Sequence, residues 1–182
     1  MVEKEYKPCV LRISFAARCL KRELKKMQWN PSADFKCLPL TSNPYEWQFA
    51  IRGPNGTDFK DGIYHGRLQF SEEYPNKLPT LTLLTENGRF KTQTEISLCD
   101  IWSWSIGEFS VQGALLKLID TLPTYPDGAL GSVEYDKKKI RALAIKSREA
   151  APRYGTAERQ KLIDKIHEYM LRVTSNGGGI SG

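Results

Sequence analysis

Three short segments in the first half of the chain are rich in the aromatic and β-branched residues that favour strands. They run over Tyr45 to Arg52, Ile63 to Phe70 and Thr80 to Thr85, and a shorter strand is predicted over Asp34 to Leu38. The turn sequences Gly-Pro-Asn-Gly and Asp-Gly separate them. Closely spaced strands joined by turns of this kind predict a four-stranded antiparallel meander.

Helical periodicity precedes this region. An amphipathic helix is predicted over residues 9 to 28, ending near Asn30-Pro31, with basic residues mostly on its other faces. Its predicted apolar positions are Leu11, Phe15, Cys19, Leu24 and Met27.

Three further helices are predicted in the second half of the chain. The first is expected to begin after a Ser110 cap and to end just before Pro123. Its predicted apolar stripe is Val111, Ala114, Leu115, Leu118, Ile119 and Leu122. The others cover Asp136 to Arg148 and Thr156 to Val173, the last with Leu162, Ile166, Tyr169, Met170 and Val173 on one side. This order predicts one α+β domain over residues 1–173, with its core at about 9–150 and a flexible Gly-rich tail over 174–182.

Composition narrows the function classes. The 27 Lys and Arg residues against 21 Asp and Glu give a modest charge of +6, and no nucleic-acid-binding motif accompanies it. A basic module that binds nucleic acid is kept as one hypothesis for the function, the third after the two that follow below. Cysteines at positions 9, 19, 37 and 99 form no Cys-x-x-Cys pair, and the two histidines are far apart in the sequence, so neither a zinc site nor another cofactor is expected.

The segment from Tyr74 to Leu122 contains the strongest candidate for a reactive side chain. An irregular polar stretch ends at Cys99, and a Trp-rich loop and the predicted helix after Ser110 follow. Reactive groups are often placed on loops between rigid elements. Composition alone favours a small buried residue, the commoner fate of an isolated cysteine, over a nucleophile.

These elements resemble the ubiquitin-conjugating enzyme family from about Leu11 through Arg148. The resemblance rests on the basic helix, the strands EWQFAIRGP and GIYHGRLQF, the turn YPNKLP, the strand TLTLLT and the cysteine loop. Other segments resemble the tail-anchored branch of the endoplasmic reticulum: Tyr64-His65-Gly66, Asn87-Gly88-Arg89-Phe90 and LPTYPDGALGSVEY. The resemblance implies that Cys99 accepts ubiquitin as a thioester from an activating enzyme and passes it to a substrate amine with a ligase.

The same resemblance implies roles for further residues. The family's His-Pro-Asn motif is absent, and the branch has an Asn-Gly-Arg-Phe segment instead, so Asn87 either donates to the developing oxyanion or supports its loop, with an ordinary Asn-Gly turn as the alternative. Asp127 occupies the place of an acidic residue that orients the acceptor lysine, with an ordinary turn Asp as the alternative. Asp100, beside Cys99, is the weaker candidate.

Partner surfaces are implied in the same way. The activating enzyme is expected to dock on basic residues of the first helix, although a charge run is often only a solvated helix face; these residues are Arg12, Lys21, Arg22 and Lys25. A RING-type ligase is expected to contact two loops at 74–78 and 104–107, through Asn76, Trp104 and Ile106, with packing in the core as the alternative for Trp104. Asn76 is polar where the family commonly has an apolar residue. We expect a monomer.

The surroundings of Cys99 depart from the branch pattern. The segment before it is longer and the loop after it is shorter than in the branch. These departures motivate the alternative of a catalytically weak scaffold that binds ubiquitin or a ligase. The sequence lacks a run of about 20 apolar residues and an N-terminal signal peptide, so a cytoplasmic location is expected. The cytosolic face of the endoplasmic reticulum, with a role in ER-associated degradation, is expected if a C-terminal anchor was removed.

Overall fold

A single meander sheet organises the computed structural model, which describes residues 13–101, 108–124 and 136–175. Its strands are β1 (Phe35–Pro39), β2 (Glu46–Arg52), β3 (Ile63–Gln69), β4 (Thr80–Leu83) and β5 (Glu95–Ile96), each antiparallel to the next. The four predicted strands are confirmed to within two residues at each end. The predicted strand count is wrong, because β5 adds a fifth strand. With only two residues, β5 is too short to show a periodic pattern in the sequence.

The two faces of the sheet are covered by different helices. Trp47, Phe49 and Ile51 of β2 point into the main hydrophobic core. The alternate residue Ala50 packs instead with Ile166 and Met170 of the C-terminal helix. Every residue of β2 is therefore buried, although its sequence alternates as a strand with one solvated face would.

The first helix, α1, spans Phe15–Trp29 and is capped by Ser14, whose hydroxyl accepts a hydrogen bond from the Ala17 N–H. The predicted apolar stripe is only partly correct, and residues 9 to 12 lie outside the described part of the chain. Met27 is buried, Cys19 and Leu24 are half-buried, and Phe15 is 59% exposed. The buried positions are Ala16, Leu20, Glu23 and Met27.

The inward face of α1 is thus rotated from the prediction because a carboxylate, Glu23, belongs to it.

A short helix, α2 (Leu98–Ile101), follows β5 and contains Cys99, where an irregular loop was predicted. The next helix, α3 (Val111–Thr121), confirms its prediction. The Ser110 hydroxyl accepts from the Gly113 N–H at 3.0 Å, and all six residues of the predicted stripe are buried.

The last two helices are α4 (Lys137–Glu149) and α5 (Ala157–Ser175), close to their predicted bounds. In α5 the predicted Ile166 and Met170 are buried, whereas Leu162, Tyr169 and Val173 are only half-buried. Ile163 and His167, which the periodicity did not select, complete the buried face of α5. This helix also extends two residues into the predicted tail, and the rest of that tail lies outside the described residues.

Polar contacts hold α5 across the sheet. Glu46 of β2 is 1% exposed and accepts two hydrogen bonds from Arg159, at 2.9 and 2.7 Å, and one from Arg67 at 3.2 Å. Glu158 accepts from the backbone N–H groups of Thr41 and Ser42 and from the Ser42 hydroxyl. The start of α5 is therefore attached both to the first residue of β2 and to the turn between β1 and β2.

Candidate active site

Cys99 lies on the surface just after two buried residues. It is the second residue of α2 and is exposed, whereas Ile96 and Leu98 on its N-terminal side are buried in the core. Since α2 packs against α3, the thiol is displayed on an anchored turn. The alternative expected from composition, that Cys99 is a small buried residue, does not fit this exposed position.

The other cysteines are less accessible. Cys37 is buried in the core, and burial raises the pKa of its thiol, although nearby Lys36 opposes this. Cys19 is half-buried on α1, and Cys9 lies outside the described residues. Among the cysteines that the structure describes, Cys99 is therefore the one whose sulfur is best placed to react with a large external substrate.

Asn87 organises the loop between β4 and β5. Its side-chain oxygen accepts from the N–H groups of Arg89 and Phe90 at 2.8 and 2.7 Å, and its amide donates to the Thr85 carbonyl at 3.0 Å. Asn87 is fully buried. An amide oxygen that accepts from the backbone two and three residues ahead forms an Asx turn. These contacts are those of a residue that supports its own turn, and they leave neither atom of the amide free of a backbone partner.

The next residues connect this loop to the helices behind it. Gly88 has a φ of +78°, and a Cβ at this position would approach Ile140 of α4 to 2.7 Å, so a side chain would be strained here and would also clash. Buried Arg89 donates through Nε to the Thr124 carbonyl at 3.0 Å, with its guanidinium over the Phe90 ring. Arg89 thereby connects the loop to the end of α3, a role that the sequence analysis did not assign.

Several predicted site residues lie outside the described part of the chain. These are Arg12, Trp104, Ile106 and Asp127, together with the side chain of Asp100. Lys21, Arg22 and Lys25 are exposed on α1, and Asn76 is exposed in the loop that precedes β4. That loop begins at Tyr74, whose buried ring makes edge contacts with Phe70 and Phe109.

Glu23 is a buried acid that sequence reasoning missed. Its Oε2 accepts from the Val111 N–H, the first residue of α3, at 3.1 Å. Burial, and the nearby Glu23 and Cys19, raise the pKa of the Tyr74 hydroxyl. Glu23 is the single acidic residue in α1, and this isolation was the one feature of the sequence that could have indicated its burial.

The two histidines, far apart in the sequence, are adjacent in space. His65 Nε2 lies 2.9 Å from His167 Nδ1, and His167 Nε2 lies 3.2 Å from the Arg148 carbonyl oxygen. Because that carbonyl can only accept, His167 donates to it through Nε2 and accepts from His65 through Nδ1.

The described residues contain no group of three His, Cys, Asp or Glu side chains arranged to hold a metal ion. Within the same residues, no helix is both long and apolar enough to cross a membrane.

Comparison with known proteins defines the family. The family model described as ubiquitin-conjugating enzyme matches residues 19–129, a span that contains Cys99 and Asn87. The chain is 54% identical over 162 residues to ubiquitin-conjugating enzyme E2 32 of Arabidopsis thaliana, covering 86% of this chain and 52% of that protein. It is 39% identical over 142 residues to human ubiquitin-conjugating enzyme E2 J1, covering 74% of this chain and 43% of that protein.

A solved structure supports the fold independently. Human ubiquitin-conjugating enzyme E2 G1 superposes with a TM-score of 0.54 at 20% identity, covering 60% of this chain and 96% of that one. The chain belongs to the ubiquitin-conjugating enzyme family, and the resemblance seen in its sequence is confirmed. The chain spans about half the length of the curated relatives that it matches.

Proposed function

We propose that this protein is an active ubiquitin-conjugating enzyme whose nucleophile is Cys99. The observation that carries the proposal is an exposed thiol on an anchored turn, inside the span that the family model matches. The catalytic domain is proposed to cover residues 1–173.

The proposed reaction has two acyl transfers at this sulfur. In the first, the Cys99 thiolate attacks the carbonyl carbon of ubiquitin held as a thioester by the activating enzyme, and the activating enzyme's thiolate leaves. In the second, a neutral substrate amine attacks the new thioester, loses its proton to solvent or a base, and expels the Cys99 thiolate. The step proceeds because a thioester carbonyl is more electrophilic than the amide that replaces it.

Asn87 is proposed to act as a positioning residue. Both atoms of its amide bind backbone groups of its own loop, and Arg89 attaches that loop to the end of α3. Residue 124 immediately precedes the segment containing Asp127, the proposed acceptor-orienting carboxylate. Supporting this loop would therefore maintain the path along which the acceptor approaches.

Partners are proposed from the exposed surfaces. The activating enzyme would dock on α1 through Lys21, Arg22 and Lys25, all exposed, with Arg12 preceding them. A RING-type ligase would contact the loop with exposed Asn76 and the loop with Trp104 and Ile106. Action at the cytosolic face of the endoplasmic reticulum, in ER-associated degradation, is proposed for a chain that carries a C-terminal membrane anchor.

The decisive test is charging with ubiquitin. The full chain is incubated with activating enzyme, ATP and ubiquitin, and a conjugate that a thiol reductant releases is expected. C99S should give a reductant-resistant ester or no conjugate, while C19S, a matched change at a half-buried thiol, should charge normally. Failure of the unmodified chain to charge, under conditions that charge another conjugating enzyme, would contradict the proposal.

A scaffold without efficient catalysis is the second candidate. The departures around Cys99 and the engagement of Asn87 within its own loop are the observations that favour it. A scaffold would bind ubiquitin or a ligase in a pull-down or titration yet give no thioester, so the same charging assay separates the two candidates.

A further inference from the structure

The exposed side of α1 carries charge of one sign. Its five cations all face solvent, and its single carboxylate, Glu23, is turned inward onto Val111; the cations are Arg18, Lys21, Arg22, Lys25 and Lys26. At 100° per residue these cations span one broad arc opposite the buried residues. We call this arc the outer face of α1.

Two large aromatic side chains lie on the same arc, one at each end of the helix. Trp29 is 82% exposed and Phe15 is 59% exposed. A separation of 14 residues on an α-helix brings Trp29 to within about 40° of Phe15 around the axis and about 21 Å along it. Arg22 lies in the sector between them, Arg18 lies about 20° to the side of that sector, and the Arg18 guanidinium is 5.8 Å from the centre of the Phe15 ring.

Cations between two exposed aromatic rings have the chemistry of a membrane-surface contact. Lys and Arg are attracted to acidic lipid headgroups, and Trp and Phe partition into the boundary between headgroups and acyl chains. Two rings at the ends of one helix, with cations between them on its exposed side, fit a flat surface that has an apolar layer below a negative one. A purely acidic protein surface would use the cations and leave Trp29 and Phe15 without a role.

We propose that the outer face of α1 binds anionic membrane surfaces peripherally. The occupant is the acidic phospholipid headgroup layer, with Phe15 and Trp29 inserted at its boundary and Arg18 and Arg22 bound to phosphates. This binding is separate from the charging of Cys99. It shares Lys21, Arg22 and Lys25 with the proposed docking of the activating enzyme, so the two aromatic residues and Arg18 are the discriminating positions.

The test uses the full chain and vesicles of defined composition. Co-sedimentation should show binding to phosphatidylcholine vesicles that contain phosphatidylserine, at least tenfold weaker binding to phosphatidylcholine alone, and loss of binding as salt is raised. The double variant F15A/W29A should bind at least tenfold more weakly. R18A should lower affinity about fivefold, the expected loss for one cation at an anionic surface.

Matched controls separate this effect from general hydrophobicity. Ile145 on α4 is 51% exposed, and I145A should leave vesicle binding unchanged. Anionic vesicles should shift tryptophan emission of the chain to shorter wavelength, and W29F should lose that shift. Thermal unfolding of each variant checks that the fold is retained, as expected for such exposed side chains.

Two outcomes would overturn the proposal. One is absence of binding to anionic vesicles at low salt by a chain that charges with ubiquitin. The other is vesicle binding that F15A/W29A leaves unchanged. If F15A/W29A instead impairs charging while no variant binds vesicles, the outer face is a contact for an acidic protein.

Discussion

Glu23 on α1 and Val111 at the start of α3 are joined by a buried hydrogen bond of 3.1 Å between the carboxylate and the backbone N–H. The first N–H groups of a helix have no partner within it, and negative charge is stabilising there. A residue of α1 therefore completes the N-terminus of α3, the helix against which α2 and its Cys99 pack.

Replacing Glu23 should destabilise the protein in a graded way. E23Q retains an acceptor but loses the charge, and we expect it to cost about 1 kcal/mol in the free energy of unfolding. E23L leaves the Val111 N–H unpaired and should cost about 2–3 kcal/mol. Urea denaturation measures both. K26A is the control, because Lys26 pairs with Glu23 at 3.6 Å but is 59% exposed, and it should change stability by less than about 1 kcal/mol.

Asn87 can be tested with two substitutions that divide its contacts. N87D keeps an oxygen to accept from Arg89 and Phe90 but removes the amide donor. If Asn87 supports its loop, N87D should charge and discharge nearly normally, while N87A should lose about 2 kcal/mol of stability. Discharge of the charged enzyme to free lysine measures activity. A fall of about 100-fold or more with both variants would instead indicate a direct oxyanion contact.

Acid should destabilise the protein through its histidine pair. Burial, with a smaller effect of His167, lowers the pKa of His65 to about 3, and burial is also the main cause of the lowered pKa of His167. The unfolded chain binds protons near pH 6.5 and the folded chain does not, so the stability present above that pH declines as pH falls from about 6.5 towards 3.

The slope of stability against pH provides the measurement for this pair. One proton taken up only on unfolding gives a slope of at most about 1.4 kcal/mol per pH unit. Urea titrations between pH 7 and 4 should show a shallower slope for H65Q than for the unmodified chain, whatever its stability at pH 7. Equal slopes would show that carboxylates alone govern the acid response.

The Glu46 network should control the attachment of α5. Burial raises the pKa of Glu46, but hydrogen bonds and charge from Arg159 and Arg67 more than offset it, so the carboxylate stays ionised. E46A leaves two arginines without their buried partner, and we expect a loss of about 2–3 kcal/mol and faster amide exchange in α5. Lys77 and Glu73 form an exposed pair, so E73Q should change stability by less than about 0.5 kcal/mol. Unchanged exchange in α5 of E46A would contradict this role.

Much of the fold was predictable because its signals are local. Strands β1 to β4 carry side chains that favour strands and are bounded by turn residues, and α3 combines a Ser cap with a continuous apolar stripe. The sequence also identified Cys99 as the candidate nucleophile, because segments that resemble the family occur in the expected order on both sides of it. The exposure of its thiol did not, because a free cysteine is compatible with both a core and a surface position.

The sequence by itself determined the order of elements, the antiparallel meander and the family, because alternation, helical period, turns and motifs are recorded in neighbouring residues. Only the tertiary structure decided which polar groups are buried and with whom. Glu23 meets Val111 across 88 residues, and His65 meets His167 across 102. Such pairs form when separate elements pack. Buried polar groups require hydrogen-bond partners, and a local sequence pattern does not identify a partner that lies far away in the chain. The same packing turned Phe15 and Trp29 outward with the cations of α1.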